Sequence, residues 1–459
     1  MLTLVRSHRI IEYALLVLGC LIPALLFITT FQHIAPWIFL GFAFAVVIIY
    51  AGAHFPGSFI LLYIASAATF FENEPGVQPI ELPFYTLTVL LSGYLLFQLL
   101  RGDVKIETSL DKLFLFLLLL IPYGVITGLI HGASIYKAFG ETTYFFGVLA
   151  YFPLRQHLNR GNFTRLLQGI VLLFVAYVLI RNLINYRQLL IQAVLPWQAE
   201  NARAAANEFI IMFGACLFMS AAAITTSRIR QIVFTACFIL LIGGLVLTQS
   251  RGYWLAFFVG ALIIFFVIDK DGKKRILLTF LVVGSSALAI ALVFFGDLFS
   301  IVSNALIERF QSIGTGKLDV SLQERFLESK TVFQLMLQNP IAGYGIGFEY
   351  TKKLLVDDFF IQASYVHNGY LAAWLKFGIL GLFAFLALWF TCIRNAIRIY
   401  RHPNSSLIVK IIALTITGTI SGVLLVNNTS PQVLTFESIL FLALFGAYLS
   451  QHITNLETR

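Results

Sequence analysis

The chain has 459 residues, 59% of them hydrophobic and only 12% charged, with a mean hydropathy of +0.88. Soluble domains run at about 45–50% apolar and about 25% charged, so a soluble multidomain chain is excluded. The formal net charge of +9 is spread over short basic clusters between apolar runs. That argues against a nucleic-acid surface and reads instead as a topology signal.

Apolar runs near twenty residues long, without a polar face, predict helices crossing a hydrocarbon core about 30 Å thick. In chain order they fall near 10–31, 34–50, 57–71, 83–100, 113–130, 138–152 and 166–184. The remainder fall near 204–225, 232–247, 253–268, 277–299, 369–393, 407–426 and 433–449. The expected fold is therefore all-α, a polytopic transmembrane protein of about fourteen spans (12–14) forming a single domain over residues 1–459. Arg6 and Arg9 before the first run resemble a signal peptide, but no small-residue cleavage site follows, so this run reads as a retained helix. The cysteines Cys20, Cys216, Cys237 and Cys392 fall inside predicted spans without metal-like spacing and read as small core hydrophobes.

Threading these spans puts Arg101, Lys105 and Lys112, then Arg155, Arg160 and Arg165, then Arg228 and Arg230, on one side. The run Lys270, Lys273, Lys274, Arg275 and the later Arg394, Arg398, Arg401 and Lys410 join them. Short loops on the other side, 72–83 and 427–432, contain no Lys or Arg. Basic short loops stay in the cytoplasm, so both termini are expected there.

Residues 300–368 break the rhythm and fall on the extracytoplasmic side. A connection of this length is expected to be functional. Ser321-Leu-Gln-Glu324 reads as a capping box opening a helix with Leu322, Phe326, Phe333 and Leu337 as its buried stripe. Asn339-Pro340 ends that helix. The glycines Gly343, Gly345 and Gly347 read as a packed turn in preference to a phosphate cradle, since no strand precedes them and no helix follows in the required way.

Three groups on that side could carry chemistry. Arg251, in Thr248-Gln-Ser-Arg-Gly252, is an isolated cation between two apolar helices. It either snorkels to headgroups or faces a cavity, where a guanidinium suits phosphate oxygens. Arg325 either forms a local ion pair with Glu324, Glu328 or Asp319 or supplies a second cation. His367, in Tyr365-Val-His-Asn-Gly-Tyr370, is either a packed interfacial residue or a base. Together they fit one reaction. Two cations offset the charge of a lipid-diphosphate leaving group, and an imidazole accepts the proton of an acceptor hydroxyl.

With these residues in place the sequence resembles the O-antigen ligase family, which includes O-antigen and exopolysaccharide polymerases. The resemblance runs from Gly243 to Gly381. It rests on the Thr-Gln-Ser-Arg-Gly turn, the Arg325-led helix, Asn339-Pro340, the three glycines, and His367-Asn368 followed after nine residues by Gly378-Ile-Leu-Gly381. It implies a metal-independent, cofactor-free glycosyltransferase of a bacterial cytoplasmic membrane. The implied donor is an undecaprenyl-diphosphate-linked glycan, and the implied acceptor is a glycan or lipid A–core. Membrane lipids, and polysaccharide assembly proteins as further partners, belong to the same picture. Arg251 and Arg325 would engage the diphosphate and His367 would act as base. Asn368, Lys376 and Asn207 are further candidates for substrate binding. Many relatives look acidic where this chain has Lys376, which either binds phosphate or snorkels. Ligase and polymerase activities are not separated. The alternatives are a transporter or flippase of lipid-linked sugar, drawing on Glu141, Lys376 and Glu437, and a non-catalytic assembly scaffold.

Overall fold

The computed structural model describes residues 57–68, 81–192, 207–294, 320–354 and 359–457. The described chain is mostly helical and divides into two compact units, 1–103 with 160–170 and 104–159 with 171–459. In the first unit, α1 (Ser58–Ser66) meets α2 (Leu82–Arg101) through stacked rings of Tyr63 and Phe84 at 5.0 Å. Pro83 opens α2 where its missing N–H costs nothing, and Gly102, at φ 73°, closes it.

The second unit holds α3 (Ser109–Ile130), α4 (Ile135–Thr142), a 3-10 run Thr143–Ala150, α5 (Tyr151–His157) and α6 (Gly161–Gln192), whose first turns belong to the first unit. Next come α7 (Glu208–Ile224), α8 (Arg228–Leu247), α9 (Arg251–Val267), α10 (Lys270–Phe294) and α11 (Val320–Gln338). After an antiparallel hairpin, β1 (Tyr350–Leu354) with β2 (Phe359–Ala363), come α12 (Gly369–Arg401), α13 (Leu407–Val426) and α14 (Phe436–Glu457).

Among the described residues seven helices, α2, α3, α6, α8, α12, α13 and α14, are long and apolar enough to cross a membrane, and α7 and α9 are apolar but shorter. The chain is a polytopic membrane protein. The predicted spans 10–31 and 34–50 lie outside the described residues, as do 69–71 of the third. The segment 138–152 is not the single helix expected of it. Here α4, the 3-10 run and α5 follow one another, and Gly147 lies so close to α14 that a Cβ there would stand 2.6 Å from the Leu440 nitrogen. The fold expected to be all-α also contains the two-stranded hairpin before α12.

Small residues set the helix spacing. A Cβ on Gly260 of α9 would meet the Gly418 carbonyl oxygen of α13 at 2.5 Å, and one on Gly422 would meet that of Ala256 at 2.8 Å. Backbones in lipid approach this closely only where side chains are absent or small. At the far end of the bundle Asp111, fully buried in α3, accepts from Tyr151 at 2.6 Å and Ser450 at 3.0 Å and pairs with Arg155 at 2.8 Å. Arg275 donates to the carbonyls of Ala223, Ile224 and Thr225, the free acceptors where α7 ends. Cys216 and Cys392 are buried free thiols, and Cys237 is free and half-buried.

The helix α11 overturns one expectation. Phe326, Phe333 and Leu337 are 67%, 46% and 61% exposed, whereas Glu328, Val332 and Met336 are buried. The two sets lie on different faces of a 3.6-residue helix. A buried carboxylate needs partners, and those of Glu328 lie on the inward face of α11. The side chains of Ser321 and Leu322 lie outside the described residues.

Candidate active site

Arg251 is the first residue of α9, directly after a tight turn in which Gln249 adopts φ 51°. The Thr248 hydroxyl accepts from the Ser250 N–H at 3.2 Å, and the Trp254 indole donates to the Leu245 carbonyl at 2.8 Å, closing α8 onto α9. The next two residues lean on the α13–α14 turn. A Cβ at Gly252 would stand 2.9 Å from the Thr429 hydroxyl, and the Tyr253 hydroxyl accepts from the Gln432 amide at 2.7 Å.

The first residue of α12, Gly369, directly after His367 and Asn368, meets the same turn. The Gly369 N–H donates to the Asn427 carbonyl at 2.7 Å, and any side chain at Gly369 would overlap the Asn427 amide. Asn368 uses its side-chain oxygen to accept from the N–H groups of Tyr370 and Leu371 at 3.0 and 3.1 Å, so it caps α12. Arg251 therefore opens α9 and His367 lies two residues before α12, and both helix starts are braced by the connection 427–435 between α13 and α14.

The His367 ring is gripped from α11. Its Nδ1 lies 2.8 Å from Glu328 Oε2, and the His367 backbone N–H donates to the same oxygen at 2.9 Å. Glu328 Oε1 accepts from Lys352 at 2.9 Å and from the Tyr350 hydroxyl at 3.0 Å, both from β1. The Glu328 side chain is fully buried, and His367 is 32% exposed. Burial alone would raise the carboxyl pKa. The hydrogen bonds from His367 and Lys352, with the charge of His367, outweigh it and hold Glu328 at about 2. The alternation along β1, Tyr350 and Lys352 inward and Thr351 and Lys353 outward, aims both donors at it.

Arg325 lies one helical turn before Glu328. Its charge, with those of Glu328 and Glu437, acts on the Tyr365 hydroxyl, and the Tyr365 and His367 rings sit edge to face at 5.3 Å. Asn207, in the left-handed conformation at φ 51°, is the residue before α7, and its side chain does not cap that helix. Its side-chain oxygen accepts from Arg181 of α6, and its amide donates to Glu437 of α14 at 3.3 Å. Glu437 also acts on Tyr144 and Tyr253, so residues from α6, α7, α9, α14 and the chain before α12 share one electrostatic neighbourhood.

Lys376 is elsewhere. Its ammonium is fully buried and pairs with Glu141 of α4 at 2.7 Å. The same Glu141 oxygen accepts the Gly347 N–H at 2.7 Å. The ammonium is turned into the protein and, through Glu141, ties the glycine turn to α4 and α12. That turn is a packed one. Its Tyr344 and Gly345 N–H groups donate to the Leu375 carbonyl, and the Ile346 N–H donates to the Gly124 carbonyl. At Gly378 the backbone of α12 breaks at φ 69°, and the Pro340 carbonyl accepts the next N–H, that of Ile379, at 3.1 Å.

Residues 236–386 match the O-antigen ligase family model. The match covers about a third of the chain, from α8 into α12, and supports an O-antigen ligase or polymerase-like family and a glycosyltransferase-like activity. It contains Arg251, Arg325, Glu328, His367, Asn368 and Lys376, while Asn207 lies before it. A search of curated proteins returned no match.

Sequence reasoning did not single out Lys352 or Arg181, and it offered Glu328 only as a partner for Arg325. The available signal for Glu328 was its place in an i, i+4, i+8 row with Val332 and Met336. A carboxylate in line with two apolar residues on a loop helix asks for a buried partner.

Proposed function

We propose that the protein transfers a saccharide from an undecaprenyl diphosphate to a sugar hydroxyl, at the end of the helix bundle that carries His367. In this reading that end faces away from the cytoplasm, both termini lie inside a bacterial cytoplasmic membrane, and the full chain carries about fourteen spans. The acceptor is a growing glycan or lipid A–core. His367 takes the acceptor proton as its oxygen attacks the anomeric carbon. The bond to the diphosphate oxygen breaks, and Arg251 and Arg325 offset the charge that develops there. A base in this position contributes about 10²–10⁴ in rate.

The observation that carries the reading is the convergence of a cation-led helix, α9, and the His367 segment on one connecting turn. The charge of Arg325 acting on the tyrosine that abuts His367 adds to it. The transport reading draws on Glu141, Lys376 and Glu437; the first two are closed on each other in a buried pair, and Glu437 accepts from the Asn207 amide. A carrier site needs such groups open to a pathway.

The test is reconstitution with a defined lipid-diphosphate oligosaccharide, with and without lipid A–core, followed by product sizing. Elongation on the carrier marks a polymerase and transfer to the core a ligase. Arg251→Ala, Arg325→Ala and His367→Ala should each lower turnover at least about 10²-fold while the folded protein stays in the membrane. Normal turnover in all three removes the mechanism.

A further inference from the structure

We infer that Glu328 is a positioning residue for this reaction, holding the His367 imidazole with its proton on Nδ1 and Nε2 turned to the acceptor. The inference rests on His367 acting as base. A carboxylate only accepts hydrogen bonds, so the 2.8 Å contact to Nδ1 requires the ring to donate there, and the lone pair is left on Nε2. The His367 backbone N–H holds the same oxygen at 2.9 Å. Main chain and ring are thus clamped to one atom, which fixes the side-chain torsions of the histidine.

The carboxylate is itself immobile. Lys352 holds its second oxygen, and the single proton of the Tyr350 hydroxyl is shared between that oxygen, at 3.0 Å, and the Tyr365 carbonyl, at 2.9 Å. The β1 strand, α11 and the chain leading into α12 are tied together at this one group. Lys352, at 2.9 Å, gives the carboxylate a countercharge of its own.

The step then balances simply. The acceptor O–H proton passes to Nε2, the acceptor oxygen bonds to the anomeric carbon, and the electron pair of the broken bond leaves on the diphosphate oxygen. The imidazolium faces the anionic Glu328, which stabilises it without taking its proton, as carboxylates do in hydrolase triads. The proton later returns to solvent or to the released diphosphate.

A purely structural Glu328 would serve only to neutralise Lys352, and the two roles separate experimentally. Glu328→Gln should lower kcat about 10²-fold or more with the KM for the lipid donor within about threefold. Glu328→Asp, which keeps the charge, should recover most of the loss. The double variant Glu328→Gln/Lys352→Met removes both buried charges and relieves any folding defect. It should stay as slow as Glu328→Gln. Wild-type kcat in that double variant, with His367→Ala inactive, overturns the positioning role alone. Normal turnover of His367→Ala overturns the base on which it rests as well.

Discussion

Replacing Lys376 by Met tests the interior of this protein most directly. The ammonium is fully buried, pairs with Glu141 at 2.7 Å, and has only the Phe348 carbonyl, at 3.5 Å, as a second contact. Met fills a similar volume, so the change isolates the charge. It leaves the Glu141 carboxylate, 11% exposed, with the Gly347 N–H as its remaining partner here. Stranding one member of a buried pair costs about 3–5 kcal/mol, or roughly 150-fold or more in the folding equilibrium at 1.4 kcal/mol per tenfold. Glu141→Gln should cost a similar amount for the converse reason. The double variant Lys376→Met/Glu141→Gln buries no charge, and its glutamine oxygen can still accept the Gly347 N–H. It should lie within about 1–2 kcal/mol of the wild type, a coupling of several kcal/mol. Reversible unfolding in mixed micelles measures all four forms, and glycan transfer on the double variant supplies a second readout. The reasoning fails if Lys376→Met alone costs under about 1 kcal/mol, or if the two losses simply add. A stable double variant that has lost transfer would instead return Lys376 to the substrate.

Gly345→Ala should destabilise the fold by more than about 2 kcal/mol, because φ is +91° and the added methyl would run into the Gly128 backbone of α3; the same unfolding assay checks it. With a folded pKa near 2 against the ordinary 4.5, Glu328 adds roughly 3 kcal/mol of stability above pH 4.5. That contribution drains away as the pH falls from about 4.5 toward 2, and a Glu328→Gln variant should show a flatter melting-temperature profile over that window. Asn368→Ala removes the side-chain cap of α12 and should cost about 1 kcal/mol, which a stability measurement separates from any fall in transfer. Arg155→Met strands the buried Asp111 that ties α3, α5 and α14, and a loss of about 3–5 kcal/mol is expected on unfolding.

Much of the architecture could be read before any coordinates. The runs at 83–100, 113–130 and 407–426 lie within or coincide with α2, α3 and α13, and Asn339-Pro340 marks where α11 stops. These features depend on local matters: hydropathy over twenty residues, a proline ring, a missing N–H. The segment 138–152 misled because its hydropathy suits a span, whereas its close approach to α14 through Gly147 is a tertiary fact.

Composition and patterning alone place this chain in a membrane, locate most of its helices roughly, and mark Arg251, Arg325 and His367 as unusual for their setting. Which face of α11 turns inward, and with it that Glu328 grips His367 while Lys376 closes on Glu141, emerges from the packing. The reason is one of range. A helix in lipid is specified by its own residues, because every backbone group is satisfied within it. A buried charge is specified by whatever distant residue comes to meet it, and 39 residues separate His367 from Glu328.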